Sequence, residues 1–191
     1  MKWPRKRPKA TLNVASASDV SQRLYLPQSV LRRTHEILLP YWREGVETAC
    51  FWFGVDAGQL QVVTTVALPK LYQTSGNYSV EMTSLRRMAG QMRLSGLTNL
   101  AQVHTHPTDW VNHSPYDDEH SYSTRDGALS LVWAFYGARL GHDLSGIGVH
   151  ERRNGKWIHL DEAQTGKRIH LVDDLADFRW EIKRGRASHD E

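Results

Sequence analysis

Residues 104–117 read HTHPTDWVNHSPYD, and this stretch decides how the rest of the chain is interpreted. His104 and His106 end a strand-like segment that begins at Asn99. Alternate residues of a strand point to the same face, so the two imidazoles should point together. Pro107 cannot continue a central strand, which places the histidine pair at a strand end.

The second half of the stretch has the form of a helix start. Ser114 is a favoured N-cap residue, and Pro115 is favoured at the first helical position. Asp117 then falls on the first helical turn, close to Ser114. A strand end and a helix start joined by a short loop would bring two imidazoles and a carboxylate to one ion. Catalytic zinc sites commonly use three protein ligands and keep a fourth position for water.

Composition sets modest bounds on the class of protein. The chain has 191 residues, of which 40% are hydrophobic, and this is enough for one domain with a real core. One cysteine, Cys50, excludes an internal disulfide and a cysteine-based zinc finger. It also argues against a zinc nucleotide deaminase, which needs a Pro-Cys-x-x-Cys motif. No apolar run approaches the length of a membrane span, and the charged start lacks an apolar signal core, so we expect a cytoplasmic protein.

The net charge of +3 arises from the start of the chain. Five of the first nine residues are basic, which leaves a net charge of −2 for the remainder and disfavours a nucleic-acid surface on the body. The basic start is interpreted as a flexible tail or as a contact with nucleic acid or an acidic partner. We predict tails over residues 1–11 and 185–191 and one domain over residues 12–184.

Hydrophobic periodicity predicts an α/β alternation without internal repeats. The predicted helices are Pro27–Trp42, Met82–Leu94, a short one from Ser114, and Leu175–Lys183. The predicted strands are Glu47–Val55, a second ending near Leu68, Asn99–His104, Ala128–Tyr136, Ile147–Arg152, Lys156–Leu160 and Arg168–Val172. Residues 68–78 have turn chemistry and are interpreted as a flexible flap.

The pattern resembles the signature of JAMM (MPN-domain) zinc metalloproteases. His-Thr-His, seven residues and Ser-x-x-Asp match that signature, and Gly45-Val46-Glu47-Thr48, which leads through a strand to Gly54, is similar to the family's glutamate strand. The resemblance covers residues 27–160. It implies a single JAMM/MPN domain with a mixed central β-sheet flanked by helices, one zinc ion per chain, and cleavage of peptide or isopeptide bonds.

By matching position, the resemblance assigns a role to each residue of the motif. His104, His106 and Asp117 would be the zinc ligands. Glu47 would be the general base that takes a proton from water, and Ser114 would donate a hydrogen bond to the tetrahedral intermediate. Glu44 is a competing base, but it precedes the strand and fits the motif less well.

The resemblance also suggests a substrate class. Many members cut after the C-terminus of ubiquitin or a ubiquitin-like protein, and conjugation enzymes of the same pathway are potential partners. No cysteine follows Asp117, so a second, structural zinc site is not expected, and the chain resembles compact bacterial members. A sulfur-carrier processing peptidase, a general peptidase, a non-catalytic scaffold and a DNA-repair-associated relative remain alternatives.

Several residues near the motif keep more than one interpretation. Cys50 is interpreted as a buried small hydrophobic residue. His113 and His120 are alternative ligands, surface residues or supports of the ligands. Trp110 is either an anchor of its loop or a wall of the substrate groove. Three carboxylates, those of Asp109, Asp118 and Glu119, are candidates to orient the ligand histidines.

Overall fold

Strands and helices alternate along the part of the chain that the computed structural model describes, residues 22–138 and 143–174. The helices there are α1 (Gln28–Glu44), α2 (Met82–Leu94), α3 (Pro115–Glu119) and α4 (Glu162–Arg168), with a 3₁₀ turn at Phe135–Gly137. The strands are β1 (Arg23–Pro27), β2 (Ala49–Asp56), β3 (Leu60–Ala67), β4 (Leu71–Thr74), β5 (Asn77–Val80), β6 (Thr98–Thr105), β7 (Leu129–Trp133), β8 (Ile147–Arg153), β9 (Lys156–Leu160) and β10 (Ile169–Val172).

Eight of these strands form one mixed sheet in the order β10-β1-β3-β2-β6-β7-β8-β9, and β4 pairs with β5 beside it. The pairs β10–β1, β1–β3 and β6–β7 are parallel, and the other pairs are antiparallel. The central strand β6 therefore lies between β2 and β7, and it carries the histidine pair at its end.

The two faces of β2 bury different halves of the core. Cys50 and Trp52 point to one face, in the same cluster as Leu31 and Leu38 of α1. The alternate residues Ala49, Phe51 and Phe53 point to the other face, where α2 packs through Leu85, Met88 and Met92. This alternation is the period-2 pattern of a strand buried on both sides. The sheet is thus covered by one long helix on each face.

Helix α1 ends where the chain must turn toward the site. Its buried stripe is Val30, Leu31, Thr34 and Leu38. Gly45 follows with a φ of 65°, a left-handed conformation that glycine adopts without a Cβ penalty. The backbone N–H groups of Gly45 and Val46 donate to the carbonyls of Trp42 and Tyr41 at 3.1 Å each. This cap reverses the chain two residues before Glu47.

A buried ion pair holds the two ends of the curled sheet together. Arg168, at the end of α4, is 2% exposed, and its Nε donates to Glu151 of β8 at 2.6 Å. Its Nη2 donates to Gln61 of β3 and to the carbonyl of Gly127. These contacts join α4, the helix that precedes β10, to β8, to β3 and to the turn before β7. Breaking them would leave the buried Arg168 charge without partners, which is costly.

The α/β class and the mixed central sheet flanked by helices are confirmed, while several element boundaries differ. Helix α2 has the predicted bounds, and the β8–β9 hairpin turns at Asn154-Gly155 as predicted. Strand β7 ends at Trp133 because the chain enters the 3₁₀ turn. Strand β1 and helix α4 were not predicted, since each is too short for a clear period. The predicted tails and the predicted terminal helix Leu175–Lys183 lie outside the described residues.

Among residues 22–138 and 143–174, no helix combines the length and the apolar character that a membrane crossing requires.

Candidate metal centre

Two buried histidines come together at the end of β6. His104 is the penultimate residue of the strand and is fully buried, and His106 follows the strand with 4% exposure. Their ring centroids lie 5.1 Å apart. The His106 backbone N–H donates to the carbonyl of Trp133 at 2.8 Å, so the strand geometry continues through the second histidine. The pair therefore points to one side, as the sequence spacing predicts.

Asp117 reaches this pair from the first turn of α3. Its Oδ1 lies 3.5 Å from Nε2 of His104, and its Oδ2 lies 3.3 Å from Nε2 of His106. Ligand atoms of the three residues all lie within 4.8 Å of one another. Burial alone would raise the pKa of Asp117. The two imidazoles and Ser114 together have the larger, opposite effect, so the pKa of Asp117 lies well below its usual range. The carboxyl is therefore ionised, as metal ligation requires.

The hydrogen bonding and protonation of the histidine nitrogens fit a metal ion. In the described part of the chain, Nδ1 of buried His104 has no hydrogen-bond partner, and the polar atom facing its Nε2 is Asp117 Oδ1 at 3.5 Å, beyond ordinary hydrogen-bond length. Burial lowers the pKa of His104, which keeps its ring neutral and its nitrogen lone pair available. Buried polar atoms are usually hydrogen-bonded, and an ion is one of the groups that can serve an unpartnered one. Two imidazoles and one carboxylate form a donor set of the kind that binds zinc at catalytic sites.

The loop after β6 orients His106. Its Nδ1 lies 2.9 Å from the carbonyl oxygen of Trp110, which directs the N–H there and leaves Nε2 free toward Asp117. The Trp110 indole stacks on the His106 ring at 5.2 Å and 10°. For His106, this backbone carbonyl occupies the position for which the carboxylates of Asp109, Asp118 and Glu119 were candidates.

Glu47 lies beside the cluster but is not part of a strand. It precedes β2 by two residues, which corrects the predicted strand start. Its backbone N–H donates to the carbonyl of Thr74 at 2.8 Å, and its carbonyl accepts from Nε2 of Gln73 at 3.0 Å. The side chain is buried, with the residue 7% exposed. The segment that was predicted as a flap is the β4–β5 hairpin. The carbonyl of Thr74 and the side chain of Gln73, both in this hairpin, hold the backbone of Glu47 in place.

Burial raises the pKa of Glu47 from 4.5 to about 7, with His106 lowering it and Asp117 raising it. A base with a pKa near the working pH combines a useful ionised fraction with useful proton affinity. The position and the pKa both suit a group that takes a proton and returns it.

The raised pKa predicts a pH-dependent stability of the metal-free protein. Below about pH 4.5, Glu47 is protonated in both folded and unfolded chains; as the pH rises toward 7 the unfolded chain ionises first and folding loses free energy. Metal-free Glu47→Gln should equal the wild type at pH 4 and exceed it at pH 8 by on the order of 1–3 kcal/mol. Urea unfolding with Glu44→Gln as the exposed control measures the difference, and equal stabilities at pH 8 would contradict the shifted pKa.

The candidate residues share one cavity. A cavity of about 420 Å³ is lined by Glu47, His106, Ser114 and Asp117. Gly76 and Asn77 of the β4–β5 hairpin also line it, and the other lining residues come from the loop after β6 and from α3: Pro107, Thr108, Trp110 and Tyr116. Trp110 is 46% exposed and both anchors the loop and lines this cavity.

Ser114 serves first as a helix cap. Its hydroxyl donates to Oδ2 of Asp117 at 2.7 Å and accepts from the Asp117 backbone N–H at 3.2 Å. The Ser114 N–H also donates to Oδ2 of Asp117, which completes a capping box. The cap thus aims the carboxylate at the histidines. Donation to a substrate remains a prediction and requires the hydroxyl to turn away from Asp117.

Two supporting side chains, those of Tyr78 and Gln102, were not predicted. The Tyr78 ring lies 5.8 Å from the His104 ring, and its hydroxyl accepts from Nε2 of Gln102 at 3.0 Å. Oε1 of Gln102 accepts from the backbone N–H of Tyr122 at 3.2 Å. A glutamine two residues before His104 on a buried strand was the one available signal, because both side chains share a face.

The remaining candidates now have assigned places. Cys50 is fully buried, and burial raises the pKa of its thiol to about 12, which confirms the packing role. His120 is exposed and stacks on Tyr116 at 3.9 Å. His113 has a buried side chain behind the cluster, with both ring nitrogens engaged, so it is a support rather than a ligand.

Solved structures similar to this chain include two solution structures of bacterial proteins. Protein DSY2949 from Desulfitobacterium hafniense superposes with a TM-score of 0.58 at 15% identity, covering 80% of this chain and 94% of that one. A protein from Salinibacter ruber (strain DSM 13855) gives a TM-score of 0.51 at 13% identity, covering 72% and 88%. These likenesses show the fold alone.

Sequence comparison adds the family. No family model matches the chain. Over 121 residues, however, the chain is 31% identical to the protein named probable metalloprotease y4jG from Sinorhizobium fredii (strain NBRC 101917 / NGR234), a match that covers 61% of this chain and 74% of that protein. Together with the buried cluster of His104, His106 and Asp117, this identity shows that the chain belongs to the metalloprotease family of y4jG.

Proposed function

We propose that the protein is a JAMM-type zinc metallopeptidase that cleaves the bond after the C-terminus of a ubiquitin-like protein, in a conjugate or a precursor. The observation that carries the proposal is the shared cavity: Glu47, His106, Ser114 and Asp117 line it, and His104 completes the donor set behind them. A non-catalytic scaffold is disfavoured, because it would have no need of a buried carboxylate, that of Glu47, beside this donor set.

The three ligand residues would hold one zinc ion. A zinc ion held there would supply a Lewis acid and would lower the pKa of its bound water to about 7. The protein's own groups perform the remaining steps. The Glu47 carboxylate accepts the proton of the attacking water and then donates it to the nitrogen of the leaving amine. This second transfer matters because an amide nitrogen leaves poorly without a proton.

The Ser114 hydroxyl is suited to a hydrogen bond with the substrate carbonyl oxygen as negative charge develops on it. It lines the cavity and points toward Asp117. When it turns to the substrate, the Ser114 N–H still donates to Asp117 at 2.7 Å, so the carboxylate keeps one of its two fixed contacts.

Ser114→Ala is expected to keep the metal and to lower turnover by about 10²–10³ if the hydroxyl acts as an oxyanion donor. Loss of the cap alone costs about 1 kcal/mol of stability and leaves turnover intact. Asp161→Ala is the matched control, because Asp161 caps α4 with the same capping box far along the chain from the motif. Turnover, metal content and melting temperature are measured for both variants, and an equal, small loss of turnover in both would remove Ser114 from the chemistry.

The cavity walls favour an extended tail with small residues. The β4–β5 hairpin and the loop after β6 both line the cavity, and a β-hairpin edge can pair with an extended peptide through main-chain hydrogen bonds. Side chains next to the scissile bond would crowd Trp110, whereas glycine would not. A bound tail loses backbone freedom, so a folded domain attached to it must supply compensating contacts.

The test offers purified protein a panel of ubiquitin-like fusions and conjugates, with and without chelator, and locates each cut by mass spectrometry. We expect cleavage after a terminal glycine, loss of cleavage with chelator or in Glu47→Gln, and far slower cleavage of the free tail peptide. A bulky residue in place of the last glycine should block the reaction. Equal rates for the free peptide and the fusion would indicate a general peptidase and would overturn the ubiquitin-like assignment.

A further inference from the structure

His113 bridges two elements behind the metal centre. Its Nδ1 lies 2.9 Å from Oδ1 of Asp118 on α3, and its Nε2 lies 2.9 Å from Oγ of Ser130 on β7. A neutral imidazole has one donor and one acceptor. Because the Asp118 carboxylate can only accept, Nδ1–H donates to it, and Nε2 then accepts the hydroxyl proton of Ser130. Both nitrogens are thereby used.

The hydrogen bond between His113 and Asp118 spans the segment that contains Ser114 and Asp117. His113 immediately precedes Ser114, and Asp118 immediately follows Asp117, so the hydrogen bond between them closes the short segment that carries both. The far end of the bridge is anchored in the sheet. Ser130 is fully buried in β7 and lies opposite Gln102 of β6, two residues before His104. The segment is thus fixed to the strand beside the one that carries the histidines.

Packing fixes the plane of the bridging ring. The His113 ring stacks on His150 of β8 at 4.0 Å and 23°, meets the Trp157 ring edge-on at 5.2 Å, and contacts the His104 ring at 5.6 Å. Its side chain is 5% exposed. The three ring contacts prevent the His113 ring from rotating. Helix α3 therefore cannot shift without breaking the hydrogen bonds that His113 makes.

The order Asp118, His113, Ser130 has the contacts of a serine-hydrolase triad, yet it cannot act as one. Its serine is fully buried, so no substrate carbonyl can reach the Oγ atom. A nucleophile needs access as well as a base. The arrangement therefore has a mechanical role.

We propose that His113 is a positioning residue, which clamps Ser114 and Asp117 against β7 and so sets the place of the carboxylate ligand opposite His104 and His106. The proposal rests on the proposed metal function. A five-residue helix has little stability of its own, because isolated short helices are marginal. The hydrogen bonds of His113 supply the stability that this short helix lacks. Asp117 is therefore already in place opposite the two imidazoles, and no further chain entropy is lost when an ion binds.

Cobalt binding tests the clamp without relying on activity. The metal-free full chain is titrated with Co²⁺, whose visible spectrum reports the ligand set, and its affinity for Zn²⁺ is measured by competition with a chelator. His113→Leu fills the space of the ring with an apolar side chain and removes both hydrogen bonds. Asp118→Ala removes one of them at a half-exposed side chain, so it also serves if the buried variant fails to fold. Asp118→Asn keeps a carbonyl acceptor for Nδ1–H.

Both His113→Leu and Asp118→Ala should weaken metal binding by about 10-fold or more and change the Co²⁺ spectrum, as losses of supporting partners around metal ligands do. Asp118→Asn should restore the wild-type spectrum and affinity. His113→Leu/Asp118→Ala should bind no more weakly than His113→Leu alone, because the two residues act through one hydrogen bond. His159→Leu, at an exposed histidine that stacks on His150 without touching the segment, is the control and should bind as the wild type does.

Unchanged Co²⁺ spectra and affinities in folded His113→Leu or in Asp118→Ala would overturn the clamp while leaving the metal site intact. Failure of Asp118→Asn to restore binding would also overturn it, since the effect would then come from charge and not from the hydrogen bond. A wild-type protein that binds neither Co²⁺ nor Zn²⁺ would overturn the metal centre itself and the clamp with it.

Discussion

Glu47→Gln is expected to retain the metal and the fold while lowering hydrolysis by about 10²–10⁴, because the amide cannot accept the proton of the attacking water. The replacement is nearly isosteric. The contacts that hold this residue use its backbone N–H and carbonyl, which bond Thr74 and Gln73 and are untouched by the change. Turnover of the best fusion substrate, metal content and melting temperature are measured on one preparation.

Glu44 offers a matched control for this prediction. It is the same residue type three positions earlier, at the exposed end of α1, and it does not line the cavity. Glu44→Gln should retain full activity. Loss of activity in Glu44→Gln with retention in Glu47→Gln would mean that the wrong glutamate has been assigned as the base.

His106→Ala is expected to lose most of the bound metal, because two ligands hold an ion poorly where catalytic sites use three. It also removes the ring that stacks on Trp110 and leaves the Trp110 carbonyl without its N–H partner. Elemental analysis of protein purified without chelators should show about one zinc per chain in the wild type and a small fraction of that in the variant.

His120→Ala is the control for the metal measurement. His120 lies in the same segment, just after α3, but it is exposed and contacts Tyr116 rather than the cluster. It should retain the full metal content. Native protein that contains no metal and takes up none when zinc is added would refute the metal assignment for this cavity.

The motif was predictable because its geometry is local. Strand alternation places His104 and His106 on one face whatever surrounds them, and a Ser-Pro start places Asp117 one turn from Ser114. Helix α2 and the β8–β9 hairpin were predictable for the same reason, since each shows its period or its turn within a few residues. Glu47 was identified by the family resemblance, and its place in the cavity needed the fold.

Other features depend on residues distant in sequence. The hairpin that holds Glu47 has no strong strand pattern, and it is ordered by bonds to Glu47 and by the Tyr136 hydroxyl, which donates to the Ser75 carbonyl at 2.8 Å. Strand β1 is only five residues long and exists because it pairs with β3 on one side and with β10, from the other end of the described chain, on the other.

The sequence by itself determined the meeting of His104, His106 and Asp117, the α/β class and the helix that presents Asp117, because strand period, cap and proline act over one or two turns. Only the tertiary structure decided the pKa of Glu47, the orientation of His106 by a backbone carbonyl, and the bridge from Asp118 through His113 to Ser130. These properties arise from burial and from contacts between different elements. Desolvation and hydrogen-bond geometry depend on which distant residues the folded chain brings within about 3 Å, and no local pattern encodes that distance.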